Sequence, residues 1–255
     1  MKKIFLKIAL LLTVIAAVIL IRLVSSNEDH DAEMTAMTAS HGLTLIIDPG
    51  HGGMDGGATS PGGLRESELN LDIAQRLDFL MGFFGVRTVM TRDTEDITYS
   101  QNATTIRAKK NEDIRNRINL INSTENAVLI SIHQNLYPSP GPFGAQVLYA
   151  RTAGSAEFAK SMQELLISTL NPQNNRPAVP VSGKIFLMNN VKMPAILIEC
   201  AFLSNPDEEA LLKTDEYRLK IATAIAAGYL RHQNLLEDTV LSGGTNENQN
   251  GILLH

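Results

Sequence analysis

The sequence predicts an α/β protein: a single domain on a mostly parallel twisted sheet flanked by helices, with an N-terminal membrane helix before it. Three observations predict it. Short apolar runs of strand length alternate with segments whose apolar residues recur at helical spacing, which is the pattern of a sheet covered by helices on both faces. Residues 8–21 are fourteen consecutive uncharged residues. The composition, 44% hydrophobic and 19% charged over 255 residues, is that of a globular chain long enough for one sizeable core.

The N-terminus begins Met1-Lys2-Lys3, and the uncharged run is interrupted on either side only by Lys7 and Arg22. If those two side chains snorkel to the interfaces, the apolar stretch from Ile4 to Val24 approaches the roughly 20 residues that span a bilayer as a helix. Residues 1–24 therefore read as a signal peptide or a membrane anchor. No small-x-small cleavage pattern directly follows Val24, which favours the anchor. Both readings place the rest of the chain outside the cytoplasmic membrane. Residues 25–42 are polar, small and aperiodic, as a tether would be.

From residue 43 strands and helices alternate. Leu43 to Ile47 is a strand that runs into the turn signal Asp48-Pro49-Gly50. Seven of the 18 glycines follow between Gly50 and Gly63. Leu69, Ile73, Leu77 and Leu80 then repeat at helical spacing, and Gly82 and Gly85 close that helix. Val86–Thr91 is a second strand. A polar stretch, 92–107, precedes a helix with Ile114, Ile118 and Ile121 on one face. Val128–His133 and Ala145–Ala150 are strands, Ser155–Leu170 a helix, and 171–183 a Pro/Asn loop. Ile185–Met188 and Ala195–Glu199 read as two further strands and 215–235 as the last helix. The domain spans 43–236, and 237–255 reads as a flexible tail.

Charge and cysteine content narrow the function classes. Four of the 22 basic residues precede the first acid, Glu28, leaving 18 basic against 27 acidic side chains, a net −9 for residues 23–255. Such a domain gains nothing from unspecific attraction to phosphate backbones, so no nucleic acid is expected, and an anionic substrate must be held by local contacts. The single cysteine, Cys200, excludes an intrachain disulfide and an all-cysteine metal site.

In open α/β sheets ligands bind beyond the carboxyl ends of the strands. Of six histidines, only His51 and His133 sit at the carboxyl end of an expected strand, and Glu199 ends another. Each alone suits a hydrogen-bonded loop residue; three ionisable groups delivered to one rim point to a site. A nucleotide reading of the glycine loop fails, because the dinucleotide fingerprint would need glycine where Asp55 stands and no phosphate-loop Gly-Lys-Ser/Thr occurs. The glycines instead suit close backbone approach around His51, with Gly56 or Gly57 supplying a positive φ. Two histidines invite catalytic zinc, which commonly takes two His and one carboxylate and leaves a fourth position open. Glu66 and Glu68 both follow the loop, at the start of a helix where an acid also offsets the dipole. The residue types do not choose between them.

Four segments together resemble the zinc-dependent N-acetylmuramoyl-L-alanine amidases of type 3. They are Ile47-Asp48-Pro49-Gly50-His51-Gly52-Gly53-Met54-Asp55-Gly56-Gly57-Ala58, Glu66-Ser67-Glu68-Leu69-Asn70-Leu71, Ser131-Ile132-His133-Gln134-Asn135, and Ile198-Glu199-Cys200-Ala201-Phe202-Leu203-Ser204-Asn205. The resemblance covers about residues 43–233. It implies His51, Glu66 and His133 as zinc ligands and Glu199 as the catalytic glutamate, so the choice of Glu66 over Glu68 rests on the resemblance. Gln134 and Cys200-Ala201 depart from the usual pattern, and Ala201 bears on the turn beside Glu199. The membrane segment, the insert 92–110 with Lys109-Lys110, and the lack of a separate wall-binding domain are similar to the germination-specific members of spore formers.

The resemblance implies hydrolysis of the bond between N-acetylmuramic acid and L-alanine in peptidoglycan, in modification of the spore cortex. Zinc would polarise the lactyl carbonyl and acidify its water, and Glu199 would carry the proton to the departing alanine nitrogen. Arg92 and Arg117 suit substrate carboxylates, or equally a solvated or core-bridging role. Two other readings use the same residues: a zinc peptidase acting on cell-wall peptides, and a non-catalytic wall-binding protein with a structural zinc. The expected partners are peptidoglycan and, through residues 4–24, the membrane; the sequence names no accessory protein.

Overall fold

The computed structural model describes residues 43–243. The segments expected as membrane helix and tether, and the end of the expected tail, lie outside the described residues. Among the described residues no helix is long and apolar enough to cross a membrane.

The chain runs β1 (Thr44–Pro49), α1 (Glu66–Phe83), β2 (Thr88–Met90), α2 (Ile106–Ser123), β3 (Ala127–Asn135), β4 (Gln146–Tyr149), α3 (Ser155–Leu170), β5 (Val179–Pro180), β6 (Ala195–Phe202), α4 (Pro206–Leu212) and α5 (Asp215–Gly243). Six strands form one sheet in the order β2-β1-β3-β6-β4-β5. The sheet is mixed. β1, β2, β3 and β6 pair in parallel, whereas β4 runs antiparallel to β6 and parallel to β5.

Alternation along the strands sorts side chains onto two faces. Leu45, Ile47, Val128, Ile130, Ile132, Ile196 and Ile198 pack against Leu69, Ile73 and Leu77 of α1, Phe158 and Met162 of α3, and Ile221, Ile225 and Tyr229 of α5. Ile46, Leu129 and Leu197 point the other way, to Ile121 of α2 and to Met188 and Val191. The central strands are apolar on both faces, as strands covered on both sides must be.

The structure departs locally from the sequence reading: the segment 171–183, expected as a loop, carries the two-residue strand β5, which pairs with β4 through Leu148 and Tyr149. Ile185–Met188 forms turns in place of a strand: Asn189 N bonds Ile185 O, and the Asn189 side chain bonds the carbonyls of Ser182 and Ile185. A four-residue apolar run does not distinguish strand from helical turn. The face of α2 that is fully buried carries Arg117 together with Ile121. Helix α4 lies between the last expected strand and the last expected helix, in a segment the sequence reading leaves unassigned; the Asn205 side chain accepts from the N–H groups of Asp207 and Glu208, and Pro206 opens the first turn. The last helix continues to Gly243, past the boundary at 236.

The sheet order positions the site. After β1 the chain goes outward to β2 and returns to β3 on the other side, so the strand order reverses between β1 and β3. That switch point opens a crevice beyond the carboxyl ends. His51 follows β1, His133 lies among the last three residues of β3, and Glu199 pairs with His133 across β3 and β6.

Candidate active site

His51 takes a left-handed backbone, φ 62°, immediately after the strand. Histidine tolerates that region better than branched residues, yet it is uncommon and must be held. Two buried guanidinium groups hold it. Arg92 donates to the carbonyls of Pro49 at 3.0 Å and Gly50 at 3.1 Å. Arg117 donates to Pro49 O at 2.6 Å and to His51 O, while it pairs with Asp48 at 3.1 Å and Asp113 at 2.9 Å. Both arginines are therefore core-bridging, one of the roles the sequence left open, and neither is solvated. Asp48, buried, also accepts from Thr91 Oγ1 at 2.6 Å and Ser131 Oγ at 2.7 Å. Burial opposes its charge, but Arg117 and the two hydroxyls win and keep the carboxyl below its ordinary range.

The glycines serve close approach. A Cβ on Gly50 would lie 2.2 Å from the His133 ring. Gly57, and not Gly56, supplies the positive φ, at 66°, and a Cβ there would meet Glu66 Oε2 at 2.6 Å and His51 Cδ2 at 2.8 Å.

Glu66 opens α1 and turns inward. Its Oε2 accepts from Ala58 N at 2.8 Å; its Oε1 accepts from Gln134 N at 3.2 Å and lies 3.0 Å from His133 Nδ1 and 3.3 Å from His51 Nε2. Glu68, two positions on, is about half exposed and pairs with Arg65 at 3.2 Å. The fold thus brings Glu66 to the two histidines and leaves Glu68 on the surface. Ligand atoms of His51, Glu66 and His133 all lie within 4.8 Å of one another. Two ligands at about 2.1 Å on a tetrahedral ion stand roughly 3.4 Å apart, close to the spacings seen here, so the donor set fits zinc in type and reach.

Sequence reasoning missed the layer behind these groups. Asp55 Oδ2 lies 2.9 Å from His51 Nδ1, which leaves Nε2 facing Glu66, and Lys110 pairs with Asp55 at 2.7 Å. A carboxylate on the far nitrogen of a ligating histidine is a common orienting device. The Lys-Lys pair of the insert was the available signal: Lys110 reaches Asp55, and Lys109 lies 5.3 Å over the Tyr99 ring. Burial lowers the affinity of His51 for its proton, but the bonds to Asp55 and Glu66 prevail and raise its pKa to about 9.

Glu199 has the opposite environment. Its Oε2 is buried without a hydrogen-bond partner among the described residues, and burial pushes the carboxyl up to about 6. The departures at 134 and 200 are accommodated: Gln134 is buried with Nε2 bonded to Asn70 Oδ1 at 3.2 Å, and Cys200 is buried behind the rim.

Two imidazoles and a carboxylate gathered at a switch point, with an unpartnered carboxyl on the next strand, define a candidate metal-assisted hydrolase. Comparison with known proteins gives the particular family. Residues 45–231 match the family described as N-acetylmuramoyl-L-alanine amidase. The germination-specific N-acetylmuramoyl-L-alanine amidase of Bacillus subtilis (strain 168) is 38% identical over 192 residues, 75% of this chain and 80% of that protein. The structure of the CwlD amidase from Clostridioides difficile, in complex with the GerS lipoprotein, superposes with a TM-score of 0.72 at 35% identity, covering 75% of this chain and 98% of that one. An N-acetylmuramoyl-L-alanine amidase from Clostridium difficile 630 gives 0.65 at 29% identity, covering 76% and 97%. The chain belongs to the N-acetylmuramoyl-L-alanine amidase family and is an enzyme, an amidase of peptidoglycan.

Proposed function

We propose that this enzyme is zinc-dependent, that His51, Glu66 and His133 hold the metal, and that Glu199 is its catalytic proton carrier. The observation that carries the reading is the position of Glu66 Oε1, within 3.3 Å of His51 Nε2 and 3.0 Å of His133 Nδ1. Three donors converging from the end of β1, the start of α1 and β3, two imidazoles and one carboxylate, are the ligand set that catalytic zinc commonly takes. When bound, zinc would supply Lewis-acid polarisation of the scissile carbonyl and a more acidic water.

The chain's own groups do the rest. Asp55 fixes the His51 ring so that Nε2 faces the cluster, and Gln134 N and Ala58 N fix the Glu66 carboxylate. The Glu199 carboxylate takes the proton of the attacking water and hands it to the departing alanine nitrogen. A carboxyl with a pKa of about 6 suits both halves of that exchange near neutral pH.

The biological setting we infer is the spore cortex and germination. Support comes from the 38% identity to the germination-specific enzyme and from the insert 92–110, whose Lys110 reaches the site. The enzyme works outside the cytoplasmic membrane, with residues 1–24 as anchor or signal, 25–42 as tether, 43–236 as the catalytic domain and 237–255 as tail. Mass spectrometry of products from intact peptidoglycan, with elemental analysis of the purified protein, tests the reading. The expected products are glycan strands without stem peptides, a new N-terminal L-alanine, and one zinc per chain. A new amine inside the stem peptide would instead make it a peptidase, and zinc without any new amine a binding protein.

A further inference from the structure

His133, Glu199 and Gln146 form a row. His133 pairs with Glu199 across the parallel β3 and β6, and Glu199 pairs with Gln146 across the antiparallel β6 and β4. Directly paired residues project from the same face of a sheet, so the three side chains stand side by side on the face that carries the site. The row leads away from the histidine cluster, one strand spacing of about 4.8 Å per step.

It ends on a guanidinium. Arg176 Nη1 donates to Gln146 Oε1 at 3.3 Å, and its Nε donates to Phe143 O at 3.1 Å. The Arg176 plane lies 4.6 Å over the Phe202 ring, and its main-chain N–H is fixed by Asn174 Oδ1 at 3.1 Å. Gln146 Nε2 is itself tied to Pro177 O at 3.3 Å. These contacts set the direction of the guanidinium but do not neutralise it. Among the described residues Arg176 has no carboxylate within ion-pair distance. The nearby Glu208 spends its two oxygens on Gly144 N and Phe202 N. Every other arginine in contact with the site, Arg92 and Arg117, is paired. A cavity of about 400 Å³, lined by Phe143, Gln146, Asn174, Asn175 and Arg176, opens beside it.

We infer that Arg176, oriented by Gln146, is the subsite for a free carboxylate of the stem peptide on the amine side of the scissile bond. This rests on the amidase reading and deepens it. A net charge of −9 over residues 23–255 repels an anionic peptide in bulk, so one preorganised guanidinium next to the site is where such a peptide is held. From the bond beside Glu199 to the cavity is one to two strand spacings, about 5–10 Å. A peptide advances about 3.5 Å per residue, which brings the acidic second residue of the stem, rather than a remote one, to Arg176.

The test uses the full zinc-loaded chain and two muramoyl-tetrapeptides that differ only in whether the second residue carries a free α-carboxylate or a carboxamide. The wild type is expected to favour the carboxylate by roughly ten- to hundredfold in kcat/KM, chiefly through KM, the range of one charge-assisted hydrogen-bond pair. Arg176→Gln should bring that ratio near one with zinc content unchanged, and Arg176→Lys should keep part of it. Misfolding would lower both substrates alike and leave the ratio in place. A wild-type ratio near one overturns the subsite, as does a ratio that survives in Arg176→Gln. Failure of the wild type to release L-alanine from intact peptidoglycan would overturn the amidase reading instead.

Discussion

Arg117 and His51 lie 66 positions apart, yet the Arg117 guanidinium donates to the main-chain carbonyl of His51. The same guanidinium is paired with Asp48 in the core, so the charge balance of the sheet edge and the backbone of a proposed metal ligand are one structure. The left-handed φ of His51 is held from outside its own segment.

Arg117→Met should therefore be costly. It leaves Asp48 buried with two hydroxyls and no cation, and such losses run to about 3–5 kcal/mol. Asp48→Asn should also destabilise, and the double variant should cost less than the sum of the two. Urea unfolding measures all three; additive effects would mean that the pair does not act as a unit.

Gly57→Ala places a methyl against Glu66 Oε2 and His51 Cδ2 at a positive φ. Its left-handed backbone alone costs about 1–2 kcal/mol. The larger expected effect is on metal affinity, because Glu66 must move. Zinc titration of the variant should show a weaker site while the circular dichroism spectrum stays that of the wild type.

Without metal, His51 is raised from 6.5 to about 9 by Asp55 and Glu66 against the pull of burial. A raised folded-state pKa contributes stability that is complete below pH 6.5 and lost as pH rises through about 9. Metal-free protein should thus lose stability across that window, and His51→Gln should remove the slope. Zinc binding at pH 7 should release a proton from the imidazolium, seen by calorimetry in buffers of different ionisation heat.

The two glutamate roles separate by substitution. Glu199→Gln should keep zinc and lower turnover by ~10²–10⁴. Glu66→Gln should lower both, since it replaces a charged donor held by Ala58 N and Gln134 N. Glu68→Gln, on the surface with Arg65, should change neither. Zinc lost from Glu68→Gln but retained by Glu66→Gln would mean that the ligand has been placed on the wrong residue.

The apolar runs determined β1 to β4 and β6 and their order along the chain, though not the two-residue β5, and they also suggested a strand at Ile185–Met188 that the fold replaces with turns; the run ends determined which polar groups reach the rim: His51, His133 and Glu199. Those features are local, because a strand buried on both faces must be written in consecutive apolar residues. The sheet's antiparallel β4 was not local. Its direction depends on which neighbour it pairs with, and Gln146 faces Glu199 only because β4 reverses against β6. Nor could spacing choose Glu66 over Glu68, since both suit a helix start; the amides of Ala58 in the glycine loop and Gln134 in β3 turn Glu66 inward, and they meet only when β1, α1 and β3 are packed. Asp48 reads as a turn residue in the chain and Arg117 is left between several roles; in the fold the two become a buried frame, with half-buried Asp55 beside it on His51. A charged side chain declares itself in sequence by its type alone; whether it is hydrated or neutralised is decided by partners tens of residues away, and only tertiary structure brings those within 3 Å.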